Sequence, residues 1–120
     1  MNEMKEMETK LTLEDKEYIL AFNLNAMSEI QEKYGTINNW VKEINLDGSE
    51  GEEPNLKALI YGLTVMLNEG IEITNDRTGS KDKLFTQKEV GRLLSKVGME
   101  EASQKMADAV IESTKSDEKN

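Results

Sequence analysis

Aspartate and glutamate are the only side chains in this 120-residue sequence with the chemistry for acid–base work: there are 24 of them, and no histidine or cysteine. A carboxylate becomes a useful acid or base when burial or a close partner shifts its pKa. None of these 24 is inserted into an apolar stripe. Glu29, Glu32, Glu43 and Glu69 all fall where a solvated helix face is expected. The hydroxyls of Ser28 and Ser95 have no imidazole to activate them, and a Ser-His-Asp or Cys-His arrangement cannot be built from this composition. Without thiolate or imidazole, zinc sites of the ordinary kind are excluded. Asp47, Glu50, Glu52 and Glu53 cluster in a glycine-rich stretch, but their spacing does not match an EF-hand loop. The Gly79-Ser80-Lys81 triplet lacks the upstream glycine of a phosphate-binding loop. The expectation is a protein that is not an enzyme and uses no cofactor and no metal.

What remains is binding through apolar contact. Seven methionines are present, and methionine suits adaptable surfaces. Met1, Met4 and Met7 recur at every third position, which could line one side of a short helix within an otherwise polar stretch read as a flexible segment over 1–9. Met99, Met106 and Ile111 lie on a late amphipathic helix with more apolar surface than its inward face needs, and they are the candidate partner-binding residues. The net charge of −9 and pI of about 4.6 repel phosphate backbones and anionic lipid, so nucleic acid and membrane are not expected partners. No apolar run approaches bilayer-spanning length, and the polar start MNEMKEMETK is not a secretory signal. A cytoplasmic location follows as the default.

The elements that must position these residues form one domain over 10–113, with a disordered tail expected over 114–120. Leu11 and Leu13 share one strand face and Tyr18, Leu20 and Phe22 another, with 14–17 between them as a hairpin loop. The period changes at Asn23, an N-cap: Leu24, Met27, Ile30 and Tyr34 repeat at helical spacing, and Gly35 stops the helix. Thr36 caps a second helix with the stripe Ile37, Trp40, Val41 and Ile44; Trp40 reads as a core anchor. Residues 45–53 are an acidic loop. A third helix over 55–69, introduced by Pro54 and closed by Gly70, is apolar nearly all round and therefore central; Gly62 within it implies a close helix crossing. Residues 71–85 read as a mobile loop. Thr86 and Glu89 form a capping-box pattern ahead of Val90, Leu93, Leu94 and Val97, and Gly98 ends that helix. The last helix covers 100–113, with Ala102, Met106, Ala109 and Val110 facing inward. The fold class is mainly α (α+β): a small domain of four to five helices carrying an N-terminal β-hairpin. A two-stranded hairpin is marginal alone, so its edge must pack on helices or pair with another subunit, which leaves a homo-oligomer open.

Three segments, KEYILAFNLNAMSEIQEKYG, LKALIYGLTVMLNEG and FTQKEVGRLLSKVG, together resemble the tail assembly chaperones of long-tailed bacteriophages and prophages of Gram-positive hosts. The resemblance covers residues 11–110 and rests on core and turn positions rather than a catalytic signature. The sequence departs from the pattern with Glu-Asp-Lys in place of an Asp-Gly turn and with an apparent insertion over 75–83. The resemblance implies a protein of the host cytoplasm, absent from the mature virion, that binds the tape measure protein, keeps it soluble and promotes assembly of the tail tube protein around it. It also implies that the polar tail 115–120 is the end of a short form, with a longer product made by frameshifting. Two other readings suit the same fold: a structural tail or connector component of the virion, or an acidic regulator that occupies a basic site on another protein.

Overall fold

The computed structural model describes residues 8–45 and 53–118, with side chains described up to residue 113. The Met1, Met4 and Met7 stripe and most of the acidic loop lie outside these residues.

Strand β1 (Lys10–Leu13) pairs antiparallel with β2 (Lys16–Ile19), placing Leu11 opposite Tyr18 and Leu13 opposite Lys16. The expected four-residue loop contracts to Glu14 and Asp15, whose φ values of 49° and 72° are those of a tight mirror-image hairpin turn. The alternation still holds, because Leu11 and Leu13 point into the core. Leu20 and Phe22 are buried beyond the end of β2, and there the Ala21 N–H donates to the Met66 carbonyl.

Helix α1 (Leu24–Tyr34) is capped by Asn23, whose side chain accepts from the Ala26 N–H, and Gly35 ends it at φ 88°. Its buried residues are Ala26 and Ile30; Leu24, expected in the apolar stripe, projects into solvent. Helix α2 (Ile37–Ile44) starts at the Thr36 cap and stops at Asn45 in the left-handed region.

Helix α3 (Leu56–Thr78) differs most from expectation. It starts at an Asn55 cap and continues through Gly70 to Gly79, which supplies the left-handed cap at φ 78°. Gly70 is therefore not a stop. A β-carbon there would overlap the Ile19 carbonyl, so the glycine lets the hairpin sit directly on the helix. Gly62 serves the expected close crossing, since a β-carbon there would overlap the Trp40 indole. Helices α1, α2 and α4 and strand β2 all pack on α3. Leu59, Leu63, Met66 and Leu67 are almost wholly buried in its centre.

The remaining part of the expected loop, residues 79–86, is an extended strap held by two asparagines of α3. Asn68 donates to the Phe85 carbonyl at 2.9 Å and accepts from the Phe85 N–H at 2.8 Å. Asn75 does the same for Asp82, at 3.1 and 3.0 Å. Seven residues of helix rise about 10.5 Å and three extended residues span about 10 Å, so the two clamps match in length. Each asparagine acts as a short piece of sheet edge. Replacing Asn68 with alanine leaves both backbone groups of Phe85 unpaired, at a cost of about 1–3 kcal/mol. Amide exchange at Phe85 is expected to accelerate about fivefold or more, while amides in the centre of α3 keep their protection.

Helix α4 (Gln87–Val97) carries the anticipated capping box, with Thr86 and Glu89 satisfying each other's backbone N–H groups, and Gly98 ends it. Helix α5 (Met99–Glu118) packs on α4 and β1. It runs past residue 113 across most of the stretch expected to be disordered; no glycine or proline occurs there to break it. The expected fold class, a small helical domain with an N-terminal hairpin, is the one observed.

The capping box also sets a pH response. The Thr86 N–H donates to the Glu89 carboxylate at 2.8 Å, and this bond holds the carboxyl below its ordinary range. A depressed folded pKa means that the contribution is complete above the unfolded value, about 4.3, and is lost as pH falls through the folded value. Glu89→Gln is expected to flatten that part of the stability–pH curve, measured by urea unfolding at closely spaced pH values between neutral and acid.

Candidate functional site

Among the described residues, an apolar concavity lies between α2 and α5. Trp40, Val41 and Ile44 form one wall; Met106, Ala107, Val110 and Ile111 form the other, around a volume of about 280 Å³. The local sequence builds it from two helix faces. On α2, four apolar residues in eight positions make a stripe wider than α3 can cover. Trp40 and Ile44 turn inward at 1% and 2% exposure, while Val41 is left 48% exposed. On α5, Met106 is buried and Ile111, five residues on, is 52% exposed. Buried side chains thus make the floor and exposed ones the rim.

The floor is rigid and electrically quiet. The Trp40 indole N–H donates to the Ala58 carbonyl at 3.1 Å, so its one polar atom is satisfied beneath the surface. Its ring stacks on Phe22 with centroids 6.2 Å apart and planes 18° from parallel. Among the described residues no charged side chain lines the groove. The described lining, all apolar, suits the burial of apolar surface.

Of the three residues singled out in the sequence, Met106 and Ile111 meet in this groove. Met99 does not: it is 40% exposed as the first residue of α5, outside the lining. Val41, Ala107 and Val110 belong to the groove and were not anticipated as partner-binding residues. The sequence carried a signal for Val41, because a stripe that pairs it with Trp40 at adjacent positions is too broad for a single contact. Leu24, Leu56 and Leu84 are exposed too, but outside this groove; lone surface apolar residues are ordinary.

A shallower concavity beside the end of β2 mixes Ile19, Leu20, Phe22 and Ile73 with Glu8, Asn23 and Glu112, and two further ones are mainly polar. One, between β1 and α5, is lined by Glu8, Lys10, Glu17, Glu101, Lys105 and Asp108 among others. Another, beside α1 and α3, includes Glu29, Tyr61, Asn68, Glu69 and Glu72. Burial and then the nearby Glu29 charge push the Tyr61 hydroxyl above its ordinary pKa, and burial followed by Glu43 does the same to Tyr34. Both shifts oppose phenolate formation and so oppose a role as base or nucleophile. Among the described residues no group of three or more acidic side chains is placed to hold a metal ion, and no helix is long and apolar enough to cross a membrane.

No family model matches the chain, and neither a curated protein nor a solved structure matches it.

Proposed function

We propose that this protein is a tail assembly chaperone of the long-tailed bacteriophage type. In this reading it binds helical segments of the tape measure protein through the α2–α5 groove, keeps them soluble in the host cytoplasm, and hands them to the assembling tail tube. The observation that carries the reading is an open apolar groove, rimmed by Val41 and Ile111, on a chain of net charge −9. An aggregation-prone amphipathic helix needs a receptor for its apolar face. The complex also needs charge on its exterior to stay dispersed. The segment resemblances over 11–110 supply the phage context.

The size of the groove suits a transient holder. A volume of about 280 Å³ receives two or three client side chains, each contributing about 1.5–3 kcal/mol when buried. Part of that offsets the cost of association, so one site binds weakly. Several copies along a long client bind well together and release in turn as the tube displaces them.

The test is co-expression with the tape measure protein from the same genome, followed by affinity copurification and a solubility assay. Soluble, copurifying tape measure protein is the expected result. A client that stays insoluble and unbound, with this chain recovered in purified virions, overturns the reading in favour of a structural tail component.

A further inference from the structure

We propose that the outer edge of β1 receives an extended, lysine- or arginine-bearing segment of another protein, which joins the hairpin as a third strand in the cleft beside α5. The proposal rests on the hairpin register and on the charge of that cleft. It uses neither the α2–α5 groove nor the chaperone reading.

The register decides which backbone groups are free. The Leu20 N–H donates to the Thr9 carbonyl at 2.9 Å. Antiparallel pairs alternate between hydrogen-bonded and non-hydrogen-bonded, so Leu11–Tyr18 and Leu13–Lys16 are bonded pairs, and Lys10–Ile19 and Thr12–Glu17 are not. The N–H and C=O groups of Lys10 and Thr12 therefore point away from β2, and among the described residues they have no partner. The matching edge of β2 is closed, because the Ile19 carbonyl abuts Gly70 of α3. The edge of β1 instead borders a cleft of about 480 Å³, with Lys10 and Thr12 on one side and α5 on the other. Such an edge is a template for a further strand.

Charge selects the occupant. Arg77 takes Glu8. The charged groups that remain in the lining are Glu17, Glu101, Asp108 and Glu112 against Lys10 and Lys105. Among the described residues none of these six is in an ion pair. An incoming strand places alternate side chains on one face. Basic residues at every second position therefore meet the carboxylates while the backbone pairs with Lys10 and Thr12. A second copy of this chain fits poorly, because at net charge −9 it brings like charge to the cleft.

The probe is the peptide acetyl-Lys-Val-Lys-Val-Lys-Val-amide, added at low salt to the isotopically enriched full chain, with amide exchange read residue by residue. The expected result is an alternation. Exchange at Lys10 and Thr12 slows about tenfold or more at saturating peptide, while Leu11 and Leu13, already paired with β2, change little. The analogue with glutamate in place of lysine gives no protection. Thr12→Pro removes one outward N–H at a position where an edge strand tolerates proline, and it is expected to abolish the protection at Lys10. Glu17→Gln/Glu101→Gln alters two exposed, unpaired side chains and weakens peptide binding about threefold or more. Signal changes spread over the acidic surface with no alternation along residues 10–13 overturn the proposal. So does a folded Thr12→Pro protein that binds the peptide as tightly as wild type. Protection of Lys10 and Thr12 that appears without peptide and grows with protein concentration overturns it as well, assigning the edge to a second copy. None of these measurements involves a tape measure protein, so the chaperone reading can fail while this proposal stands, and the reverse.

Discussion

Gly70→Ala is expected to lower stability by about 2 kcal/mol or more, while Gly91→Ala raises it by up to about 1 kcal/mol, although both replace a helical glycine. In a helix interior, alanine is favoured over glycine by about 1 kcal/mol, and neither position has positive φ. The difference lies in the neighbour. At Gly91 a β-carbon sits 3.6 Å from the Ile60 Cδ1, an ordinary contact, so the propensity gain is realised. At Gly70 it would overlap the backbone carbonyl of Ile19, and backbone in a paired strand cannot rotate away as a side chain can. The hairpin must then lift from α3, loosening Leu11, Leu13 and Leu20 together. Overpacking of this kind costs typically 1–3 kcal/mol and occasionally more, enough to exceed the propensity gain. Urea unfolding of the two variants beside wild type measures both signs. A Gly70→Ala protein as stable as wild type would mean that the hairpin does not rest on α3 as described.

The same glycines mark how far the sequence could be read. Gly35, Gly79 and Gly98 have positive φ and end helices, and two of the three were recognisable from the periodicity that stops at them. Gly70 carries no local mark that separates it from those. Its role is set by Ile19, 51 residues earlier, and spacing along one helix holds no record of that contact. Gly62 was legible because α3 is apolar on both flanks and a glycine amid such residues implies a close neighbour, here Trp40. The strap was not legible for a related reason. Asparagine reads as a turn former, and its use as a clamp depends on Asn68 meeting Phe85 and Asn75 meeting Asp82 across a reversal at Gly79. For the groove, periodicity identified two apolar helix faces but not the angle between them. Met106 and Ile111 line it, while Met99, on the same helix, falls outside.

Replacing Val41 and Ile111 together with asparagine is expected to abolish capture of an amphipathic client while leaving the fold intact. Both side chains are about half exposed in the free protein, so their loss removes little buried area, and surface substitutions of this kind usually stay within about 0.5 kcal/mol. In the proposed complex the same two side chains would become fully covered. Losing that apolar burial removes about 1 kcal/mol or more at each, and leaving an asparagine amide unpaired against the client adds about 1–3 kcal/mol each. The sum corresponds to a fall in affinity of at least about a hundredfold. The decisive comparison is with Leu24→Asn/Leu56→Asn, which removes two leucines that are at least as exposed and lie outside the groove. Copurification with the tape measure protein, read beside the urea midpoint of each variant, separates the outcomes. Equal loss in both double variants means that binding follows general surface hydrophobicity. Loss confined to Val41 and Ile111 at unchanged stability places the client between α2 and α5. The exposed rim over the satisfied Trp40 floor makes that result the expected one, because it is there that covering apolar surface leaves no polar group stranded.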